Sequence, residues 1–291
     1  RMLGVRATLR SLSKAAAAPS SDSLIGREIY CGNSVVRLIL RDSQRRNALS
    51  LRLIDELHDE LLAIHKIKKV RAVIIAAEGA AFSAGHDLKE LRANEGSENH
   101  LKIFERCGQL VQRIQTMRQP VIAEVGGMAA AAGCQVVASC DVVVASEKSR
   151  FMVPGQRVGL FCSTPSVALS RAVPPKIALD MLLTARALDA HEAERAGLVS
   201  RVVPEGEERN EAIRVAEQIC AFSADVTALG KAFFYSQQTL PLSHAYKAGS
   251  RVMTENLKLA DAQEGISAFL EKRNAVFSSS PSSSPSEPSK P

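Results

Sequence analysis

Three short apolar runs, at 70–76, 120–125 and 141–145, constrain this chain more than any other feature. None alternates polar with apolar residues, so each reads as a strand covered on both faces. Helical stretches separate them. Strands that recur after helices pair in parallel through crossovers, which predicts an α/β architecture. An earlier run, Val35–Leu40, reads as the first strand. Ser50 then caps a helix whose Leu53, Ile54, Leu57, Leu61 and Ile64 share one face. After residue 203 the strands stop, and 209–222, 226–238, 242–257 and 261–273 read as helices. The predicted organisation is a leader at 1–24, an α/β core at 25–204, a helical section at 205–277 and a disordered Ser/Pro tail at 278–291. No repeat of fixed period is visible in the sequence.

At 291 residues the chain can bury a full core, and its hydrophobic share of 46% is ordinary for a globular protein. No apolar run approaches membrane-spanning length. Aromatics are 4% and Trp is absent, which argues against stacking platforms for single-stranded nucleic acid. The six cysteines form no C-x-x-C pair, so reduced thiols are expected, with no disulfide framework and no metal site. Of the net charge of +6, Arg1, Arg6, Arg10 and Lys14 supply +4 from an acid-free segment, which leaves +2 on the remainder. Met2, Val5, Leu9 and Leu12 fall on one helical face of that segment. Arg-rich, Ser-rich, acid-poor and amphipathic describes a mitochondrial transit peptide.

Two small-residue turns carry the chemistry: Phe82-Ser83-Ala84-Gly85-His86-Asp87-Leu88 and Ala130-Ala131-Ala132-Gly133-Cys134-Gln135. Asp87 with Glu90 has capping-box spacing, so a helix is predicted to start at the first turn, and the second leads into an apolar helix. N–H groups at helix starts lack intrahelical partners, so two such turns facing each other can hold one developing oxyanion. That points to chemistry on an acyl carbonyl.

With these turns, several other stretches make the chain resemble the crotonase (enoyl-CoA hydratase/isomerase) superfamily over about residues 30–275. They are Arg46-Asn47-Ala48-Leu49-Ser50, Cys140-Asp141, Ala193-Glu194-Arg195-Ala196-Gly197-Leu198-Val199 and Gln263-Glu264-Gly265-Ile266. The resemblance implies a crotonase fold of stacked ββα turns with C-terminal helices that associate as a homotrimer or homohexamer. It implies a coenzyme A thioester as ligand and no other cofactor. The oxyanion donors would be the backbone N–H groups of His86 and Ala132. Ala84, Lys89, Arg45 and Arg46 would meet CoA, and Phe269 and Lys272 would approach the CoA of a neighbouring subunit.

Where hydratases close the Gly-Gly-Gly-Cys-Glu motif with a glutamate, this chain has Gln135, and where a second glutamate follows a proline it has Gly155. A carboxamide accepts no proton near neutral pH, and glycine offers no side chain. Hydration needs both groups for general acid–base work, so no confident catalytic residue remains and hydratase activity is not expected. Restoring both glutamates is expected to recover more hydration than restoring either alone. Two classes stay open: a non-catalytic acyl-CoA binder in mitochondrial fatty-acid and lipid metabolism, which the missing acids favour, or an enzyme such as a thioesterase or decarboxylase that uses the oxyanion hole alone. RNA binding through the basic run from His65 to Arg71 is less favoured, because the charge outside the leader is small and Asp55, Glu56, Asp59 and Glu60 lie nearby. DNA is not expected as a partner.

Overall fold

The computed structural model describes residues 22–278. The predicted leader, up to residue 21, and the predicted Ser/Pro tail, from 279, lie outside the described residues. Strand β1 (Ile25–Tyr30) pairs antiparallel with β2 (Val35–Leu40). From β2 onward a six-stranded sheet runs parallel through β3 (Ala72–Ala77), β5 (Val121–Val125), β7 (Val142–Ser146) and β10 (Arg201–Val203). A smaller sheet joins β4 (Ala81–Ser83), β6 (Met128–Ala130), β8 (Arg150–Met152) and β9 (Leu188–Asp189). Strands β3, β5 and β7 are each followed by a three-residue strand and then a helix: α2 (Ser97–Thr116) after β4, α3 (Ala132–Ser139) after β6, and α4 (Ser163–Ala172) after β8. The predicted ββα turns are present, stacked side by side.

The apolar runs owe their lack of alternation to two cores. Val73, Ile75, Val121 and Ala123 face the large core, where α1 (Leu51–His65) and α2 pack. Their neighbours Ala72, Ile74 and Ile122 face a smaller core under α7 (Glu208–Cys220). With both faces buried, period two is invisible in hydrophobicity. Arg37 and Glu124 interrupt the smaller core and pair bidentately, Nε–Oε2 at 2.7 Å and Nη2–Oε1 at 2.6 Å. Neither is left as an unpaired buried charge.

Ser50 caps α1 by accepting from the Leu53 N–H at 3.3 Å, and all five predicted apolar positions of α1 are buried. At 22–24 the chain is fastened to this helix, the Leu24 N–H donating to Glu56 Oε2 at 2.8 Å. The helix predicted at Asp87 does not form. Residues 88–91 are a turn, a single 3-10 turn follows at Ala93–Glu95, and α-helix begins at Ser97. Glu90 has another use: its Oε2 accepts from the Leu51 N–H at 2.9 Å, capping α1 from a distance.

After β10 the chain is helical: α7, α8 (Ala224–Gln237), α9 (Leu242–Asn256) and α10 (Ala260–Leu270), close to the predicted bounds. Among the described residues α8 and α9 have none fully buried by this single chain. The inward hold on α8 is polar. Lys231 Nζ donates to the carbonyls of Ile114 and Gln119 and to Asp141 Oδ2 at 2.6 Å, and the Tyr235 hydroxyl donates to Asp141 Oδ1 at 2.8 Å. No helix among the described residues is long and apolar enough to cross a membrane.

Candidate acyl-thioester site

Asn47 builds the first wall. It is fully buried at φ +51°, its Oδ1 accepts from the Asp42 N–H, and its Nδ2 donates to the carbonyls of Glu78 and Ala81. This pins the 42–49 loop against the β3–β4 connection. The Ala84 N–H then donates to the Arg46 carbonyl at 2.9 Å, and the Leu49 N–H to the Gly85 carbonyl at 2.8 Å. Gly85, at φ +93°, turns the chain where no other residue would fit. A Cβ there would stand 2.7 Å from the Ala131 methyl and 3.4 Å from the Ala132 nitrogen.

The second turn therefore presses directly on the first. Gly133 makes the same demand from the other side, since its Cβ would meet the Ser83 carbonyl oxygen at 2.7 Å. Ala132 opens α3, and Ala131 before it sits at φ +48°, ψ −117°, a conformation costly for a residue with a Cβ. The N–H groups of His86 and Ala132 have no acceptor among the described residues. Two donors thus lie on abutting turns, the first on a loop and the second at a helix start.

Both turns border a cavity of about 570 Å³, well within the range of small-molecule sites. Ala84, Leu91, Phe104, Met128 and Met152 line its inner part, and Leu88, Val158, Leu160 and Phe161 its mouth. No Asp or Glu belongs to the lining. Of the titratable groups, His86 is neutral: burial pushes its pKa below the ordinary value, its Nδ1 donates to the Leu49 carbonyl at 3.3 Å, and its ring meets Phe104 edge-on at 5.3 Å. Its Nε2 is buried, without a hydrogen-bond partner among the described residues. Burial raises the Cys162 thiol, partly offset by a hydrogen bond from the Gly155 backbone. That thiol is no activated nucleophile.

The sequence model of the enoyl-CoA hydratase/isomerase family matches residues 31–280. The chain belongs to this family. It is similar to enoyl-CoA hydratase domain-containing protein 3, mitochondrial, of Xenopus laevis, with 51% identity over 248 residues, 85% of this chain and 84% of that protein. The human protein of the same name is 48% identical over 249 residues, 86% of this chain and 82% of that one. The crystal structure of the human protein superposes at a TM-score of 0.85 with 46% identity, covering 87% of this chain and 100% of that one. An enoyl-CoA hydratase of Mycobacterium smegmatis superposes equally well, at 0.85 with 43% identity, over 88% of this chain and 99% of that one. The fold is the crotonase fold, and localisation is mitochondrial, as in relatives about half identical over most of the chain.

Against this family, the two hydratase positions differ in more than side-chain type. Gln135 is buried on α3 and is not among the cavity-lining residues; its Oε1 has no hydrogen-bond partner among the described residues. Gly155 lines the cavity, but a Cβ there would lie 2.5 Å from the Leu160 carbonyl oxygen and 2.8 Å from Cys162 Sγ. A side chain at 155 therefore requires the 155–162 segment to shift, which argues against recovery of hydration from restoring both glutamates.

The remaining sequence candidates divide into two groups. Ala84 lines the cavity, the Arg46 backbone is bonded to it, and Arg45 and Lys89 are exposed on the adjoining segments. Phe269 and Lys272 stand at the end of α10, where Phe269 borders a different cavity, so one chain alone does not bring them to the site. Glu124 and Asp141 serve structure, through Arg37 and Lys231. Sequence reasoning quoted Asn47 without a role and missed Phe104 and Met152, whose apolar character carries no signal of the cavity they face.

Proposed function

We propose that the chain is an acyl-CoA-binding member of its family in fatty-acid and lipid metabolism, holding a thioester carbonyl at the His86 and Ala132 N–H groups without hydrating it. One observation carries this reading. The paired donors and the apolar cavity are retained, while the cavity lining contains no carboxylate and the second acid's space is closed. Two N–H groups can bind a carbonyl oxygen, but moving a proton across a double bond requires an acid–base pair. Arg45, Arg46 and Lys89, exposed on the adjoining segments, would meet CoA phosphates in this reading. In a homotrimer or homohexamer, Phe269 of the partner subunit and Lys272 of the partner subunit would complete that contact. No metal or second cofactor enters this reading. Thioester cleavage would use the same donors but needs a base or an activated nucleophile, and burial raises the Cys162 thiol and lowers the basicity of His86. Loss of CO2 from a 3-carboxyacyl thioester needs neither, only the donors to hold the enolate and a proton from solvent. CO2 release from malonyl-CoA by the purified protein separates that reaction from binding alone.

Mass spectrometry of small molecules retained by the purified protein, followed by titration with the CoA species found, tests this. Retained or titratable acyl-CoA is the expected result. A protein that binds no CoA species overturns the reading.

A further inference from the structure

We propose that the acyl group this site takes is a long apolar chain, whose far end leaves the cavity and lies on a lip made by Leu88, Val158, Leu160 and Phe161. The inference rests on the acyl-thioester reading above and names the ligand class within it. All four residues border the cavity, yet their exposure runs from 46% at Phe161 to 59% at Val158. Large apolar side chains left half bare in one continuous wall mark a binding surface.

The lip is built. The Arg157 N–H donates to the Pro154 carbonyl at 3.0 Å, the Leu160 N–H to Gly155 at 2.9 Å, and the Ser163 N–H to Phe161 at 2.7 Å, so the segment carrying three of the four is tied down by its own backbone. Arg157 is the permanently charged residue of the lining, and its Nη2 is drawn to the Ala185 carbonyl at 3.0 Å, outside the cavity. Met128 and Met152 line the inner part with side chains that adapt to chains of varied shape. The two N–H donors fix the thioester end, so an acyl chain must start beside Ala84 and Ala132 and continue among apolar residues. A short acyl group would leave the lip in water; a long one covers it.

Titration with butyryl-, octanoyl- and lauroyl-CoA, each below its micellar concentration, and with free CoA as reference, reads this directly. The expected result is an affinity that rises by about two- to fourfold per added methylene across the series. In a Val158→Ser, Leu160→Ser double variant the slope is expected to flatten, with lauroyl-CoA weakened by about tenfold or more. A flat series in the unaltered protein, with butyryl-CoA bound, overturns the lip and leaves the thioester reading standing. Failure of every acyl-CoA to bind removes both. A double variant that keeps its slope but changes mass in light scattering shows the lip to be a contact between subunits, and overturns it too.

Discussion

Gly155 decides what the cavity can do. With a backbone oxygen 2.5 Å and a thiol 2.8 Å from where its Cβ would be, even one added carbon overpacks the loop. Gly155→Ala is expected to destabilise by about 1–3 kcal/mol in denaturant unfolding. Gln135→Glu combined with Gly155→Glu is expected to restore no hydration, because the loop must open before a second carboxylate can enter. Ala131 makes the opposite case: its φ of +48° suits glycine, so Ala131→Gly is expected to stabilise by about 1 kcal/mol, measured the same way. His86 adds a pH dependence. Burial lowers its pKa below the ordinary 6.5, so the unfolded chain binds the proton more readily than the folded one. Stability is therefore full above about pH 6.5 and falls as pH drops below it. His86→Asn keeps a donor toward Leu49 and removes the titration. Its unfolding midpoint is expected to fall less than that of the unaltered protein between pH 7 and pH 5.

At the scale of elements, α8 is drawn inward by a buried polar anchor, beside the Arg118–Asp225 pair at 2.7 Å. Lys231 and Asp141 have side chains only 7% and 16% exposed, so Lys231→Met would leave a largely buried carboxylate without its cation. A loss of about 3 kcal/mol is expected, with earlier proteolytic cleavage within α8. Elements whose signals are local were legible: the Ser50 cap, the five-residue stripe of α1, the doubly covered strands and the four late helices. Those whose signals are tertiary were not. Three residues are too few to show a period, so β4, β6 and β8 gave no local signal, and the stacked ββα turns were expected from the family resemblance alone. The capping-box pattern at Asp87 misled because Glu90 caps a helix that precedes it by some forty residues in the chain, reaching Leu51. The oxyanion turns were legible because small residues are demanded at both contact points, Gly85 against Ala131 and Gly133 against Ser83. That Gln135 lies outside the cavity wall could not be read from its position in a motif.

At the scale of the molecule, the late helices expose what a solitary chain would hide. Phe269 is 83% exposed and Leu270 75%, and Phe234, Leu242, Tyr246 and Met253 are also exposed on α8 and α9. An apolar surface of this size on the late helices is the ground for expecting copies to associate there. Light scattering is expected to report a trimer or hexamer at micromolar concentration; a stable monomer would contradict that assembly. If the site holds an acyl thioester but moves no proton, hydration of crotonyl-CoA is the reaction that must fail. With the protein shown to bind acyl-CoA, turnover is expected to lie at least about 10²- to 10⁴-fold below that of a family hydratase carrying both glutamates. Turnover within about tenfold of such an enzyme would contradict this reading and make His86 and Cys162, the titratable side chains of the lining besides Arg157, the first to replace.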